Sequence, residues 1–128
     1  MLARDIVMRA RLGGCCLTLQ SISEFYAVAI RKGPMTPREA ASVAEAMLDL
    51  FPTAPASPSA VRTALAIAAS SRASYWDALL IATAAEAGCT AILTEDLGGA
   101  ASLAGVQIIS PFSGAALSPA AEALLPAV

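Results

Sequence analysis

The stretch SYWDALLIATAAEAG (residues 74–88) decides the fold, because it predicts an almost wholly apolar helix that contains one carboxylate. Asp77 lies one turn before Leu80 and Ile81 and two turns before Ala84, and residues three, four or seven apart share one face of a helix. This face is apolar enough to point into a protein core. A carboxylate there is costly unless something binds it. The stretch therefore raises the question of what binds Asp77.

The whole chain has the composition of a single soluble domain with a sizeable core. It has 128 residues, of which 57% are hydrophobic and 14% are charged. The mean hydropathy is +0.67, but glycines, prolines and serines interrupt the longest uncharged stretch, residues 97–121. No membrane-spanning helix is therefore predicted. Because residues 1–14 have no signal-peptide core, we expect a cytoplasmic protein.

Cysteine, histidine and charge exclude several classes of function. Cys15, Cys16 and Cys89 make an odd total with one adjacent pair, which is a poor disulfide framework. We interpret them as small buried hydrophobic residues. The chain has no histidine, so it lacks the material for a common zinc site or a histidine-based triad. A net charge of −2 gives no global field that would attract nucleic acid.

Strands alternate with helices along the chain, and the strand sequences are almost continuously apolar. This pattern predicts a parallel α/β sheet without repeats. We assign residues 1–112 to one domain and residues 113–128 to a tail or loose helix. The predicted helices are 3–12, 21–33, 36–51, 57–70 and 74–88; the predicted strands are 15–20, 90–94 and 106–110, with one short edge strand inside 52–58.

Acidic residues follow two of the predicted strands directly. Glu24 comes after strand 15–20, and Glu95 and Asp96 come after strand 90–94. Ligands of open α/β sheets bind beyond the carboxyl ends of the strands, and the helix of Asp77 can pack beside them. Carboxylates that converge repel one another, which calls for a cation. Oxygen ligands without histidine or cysteine suit Mg²⁺ or Mn²⁺.

Each of these acids also has a purely structural explanation. Ser21 with Glu24, and Ser74 with Asp77, have the spacing of a helix capping box. Thr36 and Glu39 have the same spacing with no chemistry attached to it. Glu95 and Asp96 would also fit a turn that ends a strand. Residue spacing alone leaves both interpretations open.

The order of the segments adds a resemblance to a known family. SISEFYAVAIRKG (21–33), SYWDALLIATAAEAGCTAILTEDL (74–97) and VQIISPF (106–112) follow one another as in a PIN domain, and most closely resemble the VapC-type ribonuclease toxins. The resemblance covers residues 4–112. It implies a three-layer α/β/α fold with a central parallel sheet and an acidic pocket that holds Mg²⁺ or Mn²⁺. It also implies an RNA substrate, a cognate antitoxin and a homodimer.

The resemblance also implies roles for individual residues. Glu24, Asp77 and Asp96 match the family's acidic metal ligands, and Thr94 matches a small polar residue that often precedes the last of them. Glu95 falls on a variable position and is an auxiliary at best.

One departure from the family pattern affects the predicted activity. The family opens with a central strand that ends in an Asp-Thr-Asn motif, and no such segment precedes residue 15; Asp5 lies in a predicted helix and is no substitute. A start site placed too late, a decayed sequence, or closure of the gap by neighbouring strands or a partner would each explain this. With one ligand absent, we expect weak or no catalysis from this form. The alternative function is a non-catalytic protein that binds an antitoxin or another partner chain.

Overall fold

The computed structural model describes residues 15–94, 102–109, 112–113 and 116–124. The predicted helix 3–12 and Asp5 lie outside these residues. Within them, four of the helices predicted from sequence are confirmed, with ends that differ by two residues or fewer. The helices are α1 (Leu19–Lys32), α2 (Pro37–Leu50), α3 (Pro58–Ala69), α4 (Tyr75–Glu86) and a short α5 (Pro119–Leu124).

Side chains at the helix starts explain these boundaries. Thr36, Ser57 and Ser74 cap α2, α3 and α4, each accepting a hydrogen bond from the backbone N–H three residues later. Proline occupies the first turn of both α2 and α3, where its missing N–H costs nothing. No helix among the described residues is long and apolar enough to cross a membrane.

The predicted parallel pairing is confirmed, but the strands lie in separate small sheets. Strand β1 (Leu17–Thr18) pairs in parallel with β2 (Thr53–Ala54), which is the predicted edge strand. Strand β3 (Ala91–Leu93) pairs in parallel with β5 (Val106–Ile109). Across the described ranges, β1 and β3 each keep one edge without a strand partner. No described strand occupies the central position that the family resemblance implies.

Two strand predictions need correction. The predicted strand 15–20 is too long, because Thr18 caps α1 and commits Leu19 and Gln20 to the helix. The connection before β5 contains the unpredicted strand β4 (Ser102–Leu103), which is antiparallel to β5. Ala104 and Gly105 form the turn between them with φ values of 50° and 78°. A two-residue turn with both φ values positive suits a tight hairpin.

Helix α4 lies at the centre of the packing. On one side, its Ala78, Leu79 and Ala82 pack against α3. On another, Ile81 packs against Leu103 of β4 and Val106 of β5. Helix α4 also contacts β1, so the β1–β2 sheet and the β3–β5–β4 sheet share one supporting helix. The stretch 74–88 is thus the central buried helix that its apolar sequence predicts.

The segment predicted as a tail contains regular structure where it is described. Strands β6 (Phe112–Ser113) and β7 (Ala116–Leu117) pair antiparallel, and α5 follows them. Ala121 of α5 is fully buried. The domain boundary at residue 112 stays a prediction.

Candidate active site

Asp77 lies in the first turn of α4, and its carboxylate takes no part in capping the helix. Its backbone N–H donates to Ser74 Oγ at 3.2 Å, but no described residue contacts the half-buried carboxylate through a hydrogen bond or ion pair. The pair of Thr36 and Glu39 differs, because there both bonds of the capping box form, at 3.2 and 2.8 Å. The capping box therefore explains Glu39 but leaves the Asp77 carboxylate available for a ligand.

Glu24 lies in the second turn of α1, so it cannot cap this helix. The helix begins at Leu19, and the residue that caps it is Thr18, whose Oγ1 accepts from the Ser21 N–H at 3.0 Å. The structural explanation that pairs Ser21 with Glu24 is therefore wrong. Glu24 is exposed, and its Oε1 accepts from Gln20 Nε2 at 3.2 Å.

Gln20 connects the two acidic positions, and the sequence analysis missed it. Its Nε2 donates to Glu24 Oε1 at 3.2 Å and to the backbone oxygen of Trp76, the neighbour of Asp77, at 2.9 Å. Because both partners are acceptors, they fix which end of the amide is the nitrogen. The bridge thus ties the second turn of α1, which carries Glu24, to the first turn of α4, which contains Asp77. The sequence signal that could have indicated this contact is the four-residue spacing of Gln20 and Glu24, which makes them neighbours on one face of a helix. This spacing is informative only if α1 begins at Leu19, so that both residues belong to the helix.

The third predicted carboxylate lies outside the described residues. This applies to Asp96 and also to Glu95. The described chain reaches Thr94, which directly follows β3 and whose backbone N–H donates to Ile109 O at 3.0 Å. Convergence of Asp96 with Glu24 and Asp77 stays a prediction.

The donor types suit a hard cation, but the described ligand set is incomplete. Glu24 and Asp77 offer carboxylate oxygens, which are the ligands that Mg²⁺ and Mn²⁺ prefer. Within residues 15–94 and the shorter described ranges, no group of three or more acidic, histidine or cysteine side chains can hold a metal ion. A complete cage would need a further donor, and Asp96 is the predicted one.

The cysteines form a separate cluster at the start of β1 and β3. Burial raises the pKa of the Cys89 thiol, and the neighbouring Cys16 and Cys15 thiols and a hydrogen bond with Cys16 add to this shift. Burial likewise raises the pKa of Cys15, followed by the effect of Cys16. The raised pKa values favour the protonated thiols of Cys15 and Cys89. All three cysteines are half-buried, so the prediction that they are buried needs correction. The cluster also shows that β1 and β3 begin near each other.

Comparison with known families identifies the family of the chain. The family described as PIN domain matches residues 1–104, so the chain belongs to the PIN-domain family. The predicted membership of the PIN-domain family is thereby confirmed, and the matched range contains Glu24, Asp77 and Asp96. PIN domains are generally nucleases and typically use divalent metals. No curated protein matches the chain.

Proposed function

We propose that this chain is a metal-dependent ribonuclease of the VapC type, which hydrolyses RNA phosphodiester bonds at Glu24, Asp77 and Asp96. The observation that carries the proposal is the Gln20 bridge, which joins Glu24 on α1 to the first turn of α4, where the Asp77 carboxylate lies. A half-buried carboxylate without a described partner is costly to keep unless a ligand compensates it. Membership of a family of nucleases supports the same function.

The chain's own residues have distinct roles in this proposal. Asp77, Glu24 and Asp96 would hold Mg²⁺ or Mn²⁺. The ion would supply activation of a water molecule and stabilisation of the charge on the phosphate. Gln20 orients the Glu24 carboxylate through its Nε2. No residue acts as a covalent nucleophile.

Protein partners are part of the proposal. We expect a cytoplasmic homodimer that a cognate antitoxin silences. Large apolar side chains stay exposed on α1 and α2, among them Val28, Ile30, Leu48 and Leu50. Such side chains on adjacent helices suit contacts with another protein chain.

Calorimetry with Mn²⁺ tests the acidic pocket directly. We expect binding in the micromolar range, on the order of 8 kcal/mol, that Asp77→Asn abolishes because it removes one charged oxygen ligand. The matched control is Asp49→Asn on the exposed surface of α2, which should bind Mn²⁺ like the unaltered chain. RNA cleavage should require the same ion and fail in Asp77→Asn. Equal Mn²⁺ binding by both variants would contradict the proposed pocket.

A second function follows from the incomplete ligand set within the described residues. The chain would then be a non-catalytic PIN-domain protein that binds an antitoxin or another partner chain. Absence of Mn²⁺ binding by the folded protein, together with tight binding of a cognate antitoxin, would favour this function over the ribonuclease.

A further inference from the structure

A cleft lies beside the bridge between Gln20 and Trp76. It has a volume of about 360 Å³ and mainly apolar walls. Its sides are the beginning of α1, the loop 54–56 between β2 and α3, and one face of α4. Gln20 and Trp76, which line the cleft, are also the two residues of the bridge beside Asp77. The sequence neighbours of Glu24 and Asp77, Ser23 and Trp76, thus line the cleft, although the two carboxylates do not.

Two buried polar atoms belong to side chains that line this cleft, and neither has a hydrogen-bond partner among the described residues. They are Thr83 Oγ1 and Gln20 Oε1. Thr83 is only 3% exposed, so its hydroxyl has little access to bulk water. An unsatisfied buried polar group is costly, and each such group in a folded protein calls for an explanation. A bound ligand that supplies the missing bonds is such an explanation.

The orientation of the Gln20 amide defines one property of the ligand. Because both acceptors engage Nε2, the free atom is the carbonyl oxygen Oε1, which can only accept. The ligand must therefore present an N–H or O–H donor to Gln20. The Thr83 hydroxyl can donate or accept, so it can bond to a second polar edge.

Trp76 gives the cleft an aromatic surface. Its side chain is 63% exposed, which is unusual for the largest apolar side chain. Tyr75 holds it edge-on, with ring centroids 5.1 Å apart and an interplanar angle of 72°. A ring held in this way offers a face for stacking on a flat ligand. A nucleobase has these properties, because it is flat, aromatic and carries N–H donors on its edge.

We propose that this cleft binds one nucleobase of single-stranded RNA, stacked on Trp76, with a base N–H donating to Gln20 Oε1 and a second polar edge bonded to Thr83 Oγ1. The inference rests on the proposed ribonuclease function, since it makes the cleft the subsite that selects the nucleotide beside the cleaved bond. Stacking on aromatic side chains is the usual way in which proteins hold unpaired bases.

Trp76 is the chain's sole tryptophan, so its fluorescence reports on the cleft directly. The full chain is titrated with short oligo-A, oligo-C and oligo-U RNAs in EDTA, which removes metal-dependent binding and cleavage. We expect RNA to quench the fluorescence, with different affinities for the three sequences. Gln20→Met should weaken binding about tenfold, which corresponds to about 1.4 kcal/mol. The matched control, Gln107→Met on the exposed face of β5, should bind as the unaltered chain does.

Thr83→Val keeps the shape of the side chain and removes only the unpartnered hydroxyl. We expect it to fold with equal or higher thermal stability while binding RNA more weakly. Trp76→Leu, measured by anisotropy of a labelled RNA, should lower the affinity by about 5- to 150-fold, the range for loss of one stacked base. If these residues had only a structural role, a stably folded Thr83→Val variant would bind RNA as tightly as the unaltered chain does.

The outcomes separate this inference from the proposed function. Mn²⁺-dependent cleavage that needs Asp77, combined with RNA that leaves Trp76 fluorescence unchanged, would overturn the base subsite and keep the ribonuclease. Quenching that Gln20→Met and Thr83→Val weaken, without cleavage, would support the subsite and overturn the ribonuclease. Equal binding by the Gln20→Met and Gln107→Met variants would overturn the assignment of Gln20.

Discussion

Asp77 and Glu39 occupy the same position in their helices, yet the structure uses them differently. Each is the third residue after a hydroxyl side chain that caps the helix. Glu39 returns a hydrogen bond to the cap residue, whereas the Asp77 carboxylate has no described partner. The same sequence spacing therefore serves stability in one helix and leaves a carboxylate available in the other. The distinguishing feature is whether the side chain returns the bond, which spacing does not reveal.

Glu39 should make the stability of the chain depend on pH. The hydrogen bond from the Thr36 backbone, followed by that with the Thr36 side chain, lowers the pKa of Glu39 from its ordinary value of 4.5. A lowered pKa in the folded state means that the stabilisation is present above pH 4.5 and is lost as the pH falls through the folded value. At neutral pH, Glu39→Gln should thus unfold at a lower temperature than the unaltered chain. The difference between the two unfolding temperatures should shrink as the pH is lowered. A difference that grows at low pH would contradict the capping box.

At the scale of secondary-structure elements, the contact between α3 and α4 depends on small side chains. Ala60 and Ala64 of α3 are fully buried against Ala78 and Ala82 of α4. Methyl side chains let the two helix backbones approach closely and leave little room for larger residues. This packing holds α4 in place and, with it, Asp77 and Trp76.

Two alanines of α3 allow a matched test of this packing. Ala64 is fully buried, whereas Ala66 on the same helix is exposed. Ala64→Leu should lower the free energy of unfolding by about 1–3 kcal/mol, the usual cost of overpacking a core. Ala66→Leu should change it by less than about 0.5 kcal/mol, as for most surface substitutions. Chemical denaturation measures both values, and equal effects would contradict the assigned helix face.

At the scale of the whole molecule, the β1–β2 sheet and the β3–β5–β4 sheet share α4 instead of forming one continuous sheet. Strand β1 pairs with β2, and β3 pairs with β5, while the described residues place no strand between them. Helix α4 contacts both β1 and β5 and therefore links the two sheets. Cys15 and Cys16 directly precede β1, and Cys89 precedes β3, so these thiols lie at the starting ends of the two sheets.

The cysteine cluster should weaken the fold at alkaline pH. Burial, followed by the neighbouring thiols, raises the pKa of Cys89 above its ordinary value of 9.0. The folded state thus keeps the Cys89 proton up to a higher pH than the unfolded state does. The stabilisation from this proton is therefore complete below pH 9 and is lost as the pH rises through the pKa of the folded state. Thermal unfolding across this range should show a steeper loss for the unaltered chain than for Cys89→Ala. Parallel pH profiles for the two proteins would contradict this assignment.

Local sequence signals determined most of the helices and the general class of the fold. Thr36, Ser57 and Ser74 with their following residues predict three helix starts because capping is a local interaction. The apolar stretch 74–88 predicts a central buried helix, since its apolar side chains need partners on more than one side. The order of the acidic segments predicts the PIN-domain family, which the family match confirms.

Only the tertiary structure decided how these elements meet. Because α1 begins at Leu19, Glu24 lies in the second turn as an exposed side chain and does not cap the helix. The Gln20 bridge to Trp76 joins residues 56 positions apart, a contact that no local pattern encodes. The cleft beneath Trp76 likewise depends on three segments that pack together. Capping and periodicity act over a few residues, whereas a ligand site needs side chains that only long-range packing brings together.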